Sequence, residues 1–247
     1  MRLLHPGQAA PWIIAHRGDS AAFPENTLAA FDAAVAAGAD GIELDLQATR
    51  DGVPIVHHDA TLRRLGGGAR SVGSFDLAEV RALRAGVPTL DDVLDRYGGR
   101  TRLLLEIKAH DDVGDFRERA RSLAERTVRE VRHRRLDSSV QILSFDPAVL
   151  EAARAASSHV RTVLNLARLP RLDASHWRRL APLFALSVDV RALTPAFVRE
   201  AHRRGKPVLV YTCNTPGRAL AALRAGADAI MSDRPGWLAR LVETHPR

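Results

Sequence analysis

The sequence predicts a (β/α)8 barrel of the TIM type, eight parallel strands ringed by helices, and three observations carry that expectation. Short β-rich runs alternate with longer Ala/Leu/Arg-rich runs along the chain, the order that builds a parallel sheet with helices outside it. Several strand runs are almost continuously apolar, as at 185–190 and 207–211, which marks strands buried on both faces. The 247 residues match the roughly 250 that such a barrel needs as a single domain, so 1–247 is read as one domain.

Each element follows from local pattern. Strands are expected at 12–15, 41–47, 54–58, 102–107, 140–145, 161–166, 185–190, 207–212 and 228–231. Helices are expected at 27–37, 91–97, 115–134, 147–156, 195–204 and 216–225. Asp146-Pro147 and Thr194-Pro195 each place a capping residue before a proline suited to the first helical position. Gly38, Gly205 and Gly226 are helix stops. The segments Ala37-Gly38-Ala39-Asp40-Gly41-Ile42 and Ala225-Gly226-Ala227-Asp228-Ala229-Ile230 echo each other, each ending a helix and entering a strand. Nine strand runs are one too many for the barrel. The surplus lies at 41–58, where Asp51-Gly52 is a hairpin signal and the connection is too short for a parallel crossover. A hairpin-like excursion is expected there, with His58 brought close to Glu43. The glycine-rich 62–74 segment reads as a loop or small insertion.

Composition narrows the function classes. No run approaches the ~20 apolar residues of a membrane span, and Met1 to Trp12 lacks a signal-peptide pattern, so a cytoplasmic protein is expected. Cys213 is the only cysteine, which excludes an intrachain disulfide and a cysteine metal site. The net charge of +7 rests almost wholly on arginine, since Lys108 and Lys206 are the only lysines. The arginines are scattered, often beside acids at helical spacing as at 115–119, and aromatics make up only 5%. That argues for solvated helix faces and against a nucleic-acid surface, although the field favours an anionic substrate.

The chemistry-bearing residues cluster at strand ends, where barrel enzymes place their sites. His16-Arg17-Gly18 follows the first strand run; the arginine fork suits phosphate oxygens and glycine allows close approach. Glu43 and Asp45, two apart on a strand, share one face. They are either a buried acid pair bonded to arginine or backbone groups, or ligands of a hard cation. Glu106 and Lys108 likewise share a face, adding a third carboxylate and a second cation. In His57-His58-Asp59 only one histidine faces the interior, and spacing leaves open which. A histidine pair can divide general acid and base roles.

Together these residues resemble the glycerophosphodiester phosphodiesterase family. The likeness runs through His16-Arg17-Gly18, Pro24-Glu25-Asn26-Thr27, Ala39 to Asp45, Thr49/Asp51-Gly52, His58-Asp59, Pro88-Thr89-Leu90, Glu106-Ile107-Lys108, Ser144-Phe145 and Ser232-Asp233-Arg234-Pro235, over nearly the whole chain. It implies a barrel of the phospholipase-C-like phosphodiesterase type. It also implies a small-molecule glycerophosphodiester substrate, hydrolysed to sn-glycerol 3-phosphate and an alcohol. By the same likeness Glu43, Asp45 and Glu106 hold one Mg²⁺ or Ca²⁺, His16 and His58 are the acid–base pair, and Arg17 and Lys108 hold phosphate oxygens. It further implies that the glycerol 2-hydroxyl attacks phosphorus to give a cyclic phosphate that water opens. Tyr211 stands where the family usually carries tryptophan and is expected to contact substrate. Gly66-Gly67-Gly68 stands where a threonine-containing segment is usual. Arg63 and Arg64 either favour acidic head groups or are solvated. Two alternatives accompany this reading: a lysophospholipase D-like enzyme, which requires an apolar rim, and a non-catalytic barrel, which would have lost an acid or a histidine.

Overall fold

The structure is a computed structural model that describes residues 4–109, 116–169 and 173–245. Strands β1 (Trp12–His16), β2 (Gly41–Ala48), β4 (Arg102–Ile107), β5 (Val140–Ser144), β6 (Arg161–Leu166), β7 (Ala185–Asp189), β8 (Val208–Tyr211) and β9 (Ala229–Ser232) form a parallel ring. It closes because β1 pairs in parallel with both β9 and β2. The surplus strand β3 (Pro54–Val56) lies antiparallel on β2, joined by the expected Asp51-Gly52 turn with Gly52 at φ 78°. The barrel and its excursion are therefore as expected.

The β2–β3 ladder pairs Leu46 with Val56, and His57 N still donates to Asp45 O at 3.0 Å. His58 leaves that ladder with the charges of Lys108, Asp45 and Arg17 near it, and it lines the barrel mouth together with Glu43.

The helices are α1 (Leu28–Ala36), α2 (Leu77–Leu83), α3 (Leu90–Tyr97), α4 (Phe116–His133), α5 (Pro147–Ala156), α6 (Ala174–Leu180), α7 (Pro195–Arg203), α8 (Pro216–Ala225) and α9 (Pro235–Thr244). Asp146 caps α5 through Ala148 N, and Thr194 caps α7 through Phe197 N. The expected start of the α4 region at Asp115, and the first three residues of the Met1 to Trp12 reading, lie outside the described residues. The 62–74 segment contains two short 3-10 turns, and its apolar residues pack with Ile55 and Val80 as a small satellite core. A side chain at Gly67 would collide with Leu62 at 2.7 Å, which accounts for one glycine of that segment. No helix of the described residues is long and apolar enough to cross a membrane.

Strand alternation sorts the core into two layers. Ile13, Ile42, Leu44, Leu103 and Leu105 face the helices. Trp12, Ile14, Leu104, Leu143, Val163, Leu209 and Met231 fill the barrel, with Leu4 among them from the N-terminal segment. Each fully buried leucine contributes roughly 1.5–3 kcal/mol of transfer free energy. The echoed segments have a shared task. Asp40 Oδ2 accepts from Ile13 N and Asp228 Oδ2 from Val208 N, both at 2.8 Å. The backbone N–H of each aspartate returns to the carbonyl of the same residue, again at 2.8 Å. Each aspartate thus ties the start of its own strand to the start of the neighbouring one.

Candidate active site

The inward alternation that packs Ile14 and Leu104 in the barrel continues upward into charged residues. Cross-strand register sets His16 beside Glu43 and Asp45 beside Glu106 at the C-terminal mouth. The mouth holds a cavity of about 310 Å³ lined by His16, Arg17, Glu43, His58, Glu106, Lys108 and Tyr211. Asp45 lies beneath it, fully buried. All eight residues that the sequence singled out are therefore brought to one place.

Glu43, Asp45 and Glu106 present ligand oxygens within 4.8 Å of one another and are nearly or completely buried. Burial, with Asp45 and Glu106 close by, pushes Glu43 up to about 8. Burial also raises Glu106. Burial acts upward on Asp45 too, but the charges of Lys108 and Arg17 outweigh it and hold that carboxyl well below its usual range. Lys108 Nζ lies 2.8 Å from Asp45 Oδ1 and also binds Glu106 Oε1. Arg17 Nε lies 3.1 Å from Asp45 Oδ2, and its Nη1 meets Glu25 Oε2 at 3.1 Å. The acid pair is thus bonded to arginine, lysine and backbone groups, as one of the two readings expected, yet Glu43 Oε1 is buried with no hydrogen-bond partner among the described residues. Three clustered hard oxygen donors, one unsatisfied, fit a divalent cation of the Mg²⁺ or Ca²⁺ kind.

The two histidines differ in environment. His16 Nδ1 is 2.7 Å from Asp233 Oδ1 and its Nε2 is 3.9 Å from Glu43 Oε2. Burial lowers His16, but the Asp233 hydrogen bond and the Glu43 charge outweigh it, and the imidazole stands above its ordinary value. His58 is held the other way: burial, then Lys108, lower it despite Asp45 and a 2.9 Å contact of Nδ1 with Asp59 Oδ1. The structure also separates the adjacent histidines. His57 is buried, its Nε2 3.0 Å from Thr61 O, while His58 lines the cavity.

Several supporting residues carried no assigned role in sequence. Asn26 Nδ2 donates to Asp45 Oδ2 at 2.8 Å and Asn165 Nδ2 to Glu106 Oε2 at 3.0 Å, orienting two of the carboxylates. Asn214 donates to Asp233 at 2.5 Å and so fixes the partner of His16. Asn26 and Asp233 lay within quoted motifs; Asn165 had no sequence signal beyond a polar residue in an apolar strand. Arg64 is half-exposed and binds Asp59 at 2.5 Å and Glu25 at 2.6 Å, linking the His58 loop to the Arg17 loop. Tyr211 packs edge-to-face on Phe145 at 6.1 Å, and burial raises its hydroxyl pKa. Among the described residues the large exposed apolar side chains are Phe23, Val35, Leu83 and Phe145, and only Phe145 lines this cavity.

A profile of the glycerophosphoryl diester phosphodiesterase family matches residues 16–237. A glycerophosphodiester phosphodiesterase of Caldanaerobacter subterraneus is 30% identical over 242 residues, covering 93% of this chain and 97% of that protein. Among solved structures, an Oleispira antarctica phosphodiesterase in complex with the product sn-glycerol-3-phosphate superposes with a TM-score of 0.80 at 26% identity, over 95% of this chain and 97% of that one. A glycerophosphodiester phosphodiesterase of Agrobacterium tumefaciens gives a TM-score of 0.75 at 27% identity, over 93% and 99% of the two chains.

Proposed function

The chain belongs to the glycerophosphoryl diester phosphodiesterase family, and from that premise we propose that it releases sn-glycerol 3-phosphate from glycerophosphodiesters by metal-assisted acid–base catalysis. The observation that carries the proposal is the buried Glu43, Asp45 and Glu106 cluster, packed against Arg17 and Lys108 and flanked by two histidines with opposed shifts. With all three carboxylates ionised, as metal binding requires, three acids against Arg17 and Lys108 leave one negative charge. A divalent ion reverses that sign and makes the mouth complementary to a phosphodiester.

Glu43, Asp45 and Glu106 would hold the divalent ion, which when bound would supply Lewis-acid polarisation of a phosphoryl oxygen. Arg17 and Lys108 bind the remaining phosphate oxygens, their charge-assisted donors fixing the phosphorus in the cavity. His58, held low, is neutral near pH 7 and takes the proton of the glycerol 2-hydroxyl. That oxygen attacks phosphorus while the bond to the leaving alcohol breaks. His16, held high and steered by Asp233, gives its proton to the departing oxygen. In the second half the roles reverse: His16 deprotonates water, which opens the cyclic phosphate, and His58 returns the proton to the 2-oxygen. Tyr211 contacts the substrate on the far wall.

The same reading takes residues 1–247 as one domain acting in the cytoplasm without a nucleic-acid partner. The lipid-diester alternative calls for an apolar rim, and Phe145 alone does not supply one. The test is release of sn-glycerol 3-phosphate from glycerophosphocholine by purified protein, first in EDTA and then with Mg²⁺ or Ca²⁺ restored. Release that returns with metal is the expected result. Release that is indifferent to EDTA rejects the metal role, and none with either ion rejects the reaction.

A further inference from the structure

The cavity wall that contains Asn165 and Tyr211 presents polar atoms to which the mechanism gives no partner. Asn165 is 95% buried by virtue of its 5% exposure, and its Oδ1 has no hydrogen-bond partner among the described residues. The Tyr211 hydroxyl is buried and equally without one. Both residues line the cavity. An acceptor and a phenol left unmet in a polar cavity suit hydroxyl groups of a bound ligand, because burying them unpaired is costly.

Above them at the rim stand Arg191 and Arg218. Arg191 is engaged by Asp189, with Nε 3.0 Å from Oδ1 and Nη2 2.5 Å from Oδ2. That pair is close to neutral. The Arg218 guanidinium makes no hydrogen bond or ion pair with any described residue, and its charge reaches Asp189 only at longer range. Its position is also locally unfavourable. Thr215 caps α8, Pro216 is the first helical residue, and Arg218 is the third. At that place an acid would bond back to the cap and meet the positive end of the helix; a cation does neither. The protein follows the acid rule elsewhere, with Glu79 in α2 and Asp92 in α3 completing capping boxes. A residue that breaks a local rule while lining the reaction cavity is expected to have a functional reason.

We infer that this wall is a subsite for the alcohol half of the diester, and that Arg218 selects alcohols that are hydroxylated and carry an anionic group, such as a phosphorylated polyol. The inference rests on the diester-hydrolysis reading above and adds to it a substrate class. The aromatic pair Phe145–Tyr211 on the same wall would attract a quaternary ammonium through its ring faces. The uncompensated Arg218 charge beside it acts against such a group, so a choline-bearing substrate is disfavoured relative to an anionic one.

The test compares kcat/KM for glycerophosphoinositol 4-phosphate, glycerophosphoinositol and glycerophosphocholine in the metal-loaded wild type, Arg218→Ala and Arg218→Glu. Wild type is expected to prefer the 4-phosphate. Arg218→Ala should lower the ratio of the 4-phosphate to glycerophosphoinositol by about 10- to 100-fold, mainly through KM, as loss of a charged hydrogen bond requires. Arg218→Glu should lower it further while melting no lower than wild type, since it restores an acid at the third helical position. If turnover occurs but the ratio is the same in all three proteins, the subsite is overturned and the reaction stands. If no diester is cleaved by wild type with either metal, the reaction reading falls and the subsite with it.

Discussion

Replacing Glu43 with glutamine separates the structural cost of the carboxylate cluster from its use. Glu43 is 2% exposed, with two other carboxylates in its cluster, and is pushed from 4.5 to about 8 chiefly by burial. An acid raised in this way keeps its proton in the fold at pH values where the unfolded chain has already released it. Its contribution to stability is therefore fully present below 4.5 and is lost as the pH rises through about 8. At about 1.4 kcal/mol for each tenfold change in proton affinity, the full displacement bounds that loss at about 5 kcal/mol. Asp45 is shifted the other way, so its own contribution is lost only in acid, outside the window. Glutamine keeps the shape, can still accept from Arg17 N, and carries no charge.

Metal-free Glu43→Gln should thus match wild type near pH 5 and exceed it at pH 8 by an amount up to that bound. Metal should act in the opposite direction and narrow that gap. An ion at a hundredfold over its dissociation constant stabilises the wild type by about 2.7 kcal/mol. At about 2–4 °C per kcal/mol, that is a rise of roughly 5–10 °C in Tm, which the variant should largely lose. The assay is calorimetric unfolding from pH 5 to 8.5 in EDTA and with added Mg²⁺ or Ca²⁺. Parallel pH curves for the two proteins, or an undiminished metal response in the variant, would refute the reasoning.

Two other substitutions probe the frame around the site. Asp233→Asn removes the charge that helps to hold His16 above its ordinary value, so the alkaline limb of the pH–kcat profile should move to lower pH. The general acid it steers contributes about 10²–10⁴-fold, and kcat should fall by about tenfold or more; an unmoved limb in a kinetic pH series would exclude the steering role. Asp228→Ala strands three donors at the base of the barrel, Gly7 N at 2.7 Å, His202 Nε2 at 2.7 Å and Val208 N at 2.8 Å. Loss of one partner from such a buried charged network costs about 3–5 kcal/mol, so Tm should drop by roughly 10 °C. A calorimetric drop under about 2 °C would show that Asp228 does not tie β8 and β9 together.

Much of this was legible because it is local. The period of two along a strand put Glu43 with Asp45, and Glu106 with Lys108, on shared faces before any coordinates. The short, glycine-marked connection at 49–53 dictated an antiparallel excursion, and capping residues before proline marked helix starts. These are effects of backbone geometry over a few residues, and any fold must respect them.

Tertiary structure alone decided what depends on closure of the ring. His16 meets Asp233 because β1 pairs with β9 across almost the entire chain, and no local pattern encodes that contact. Spacing left His57 and His58 equal and only the resemblance pointed to His58; the fold gives the physical reason, holding His57 at Thr61 O while His58 lines the cavity. Arg64, open to two readings in sequence, is bound by Asp59 and Glu25, whereas Arg218, which carried no reading of its own, lines the cavity with no side-chain hydrogen bond or ion pair to any described residue. A single chain records each side chain's chemistry and its face. Whether a charge is spent on a neighbour or left for a ligand depends on groups brought together from distant strands, and only the packed barrel determines those.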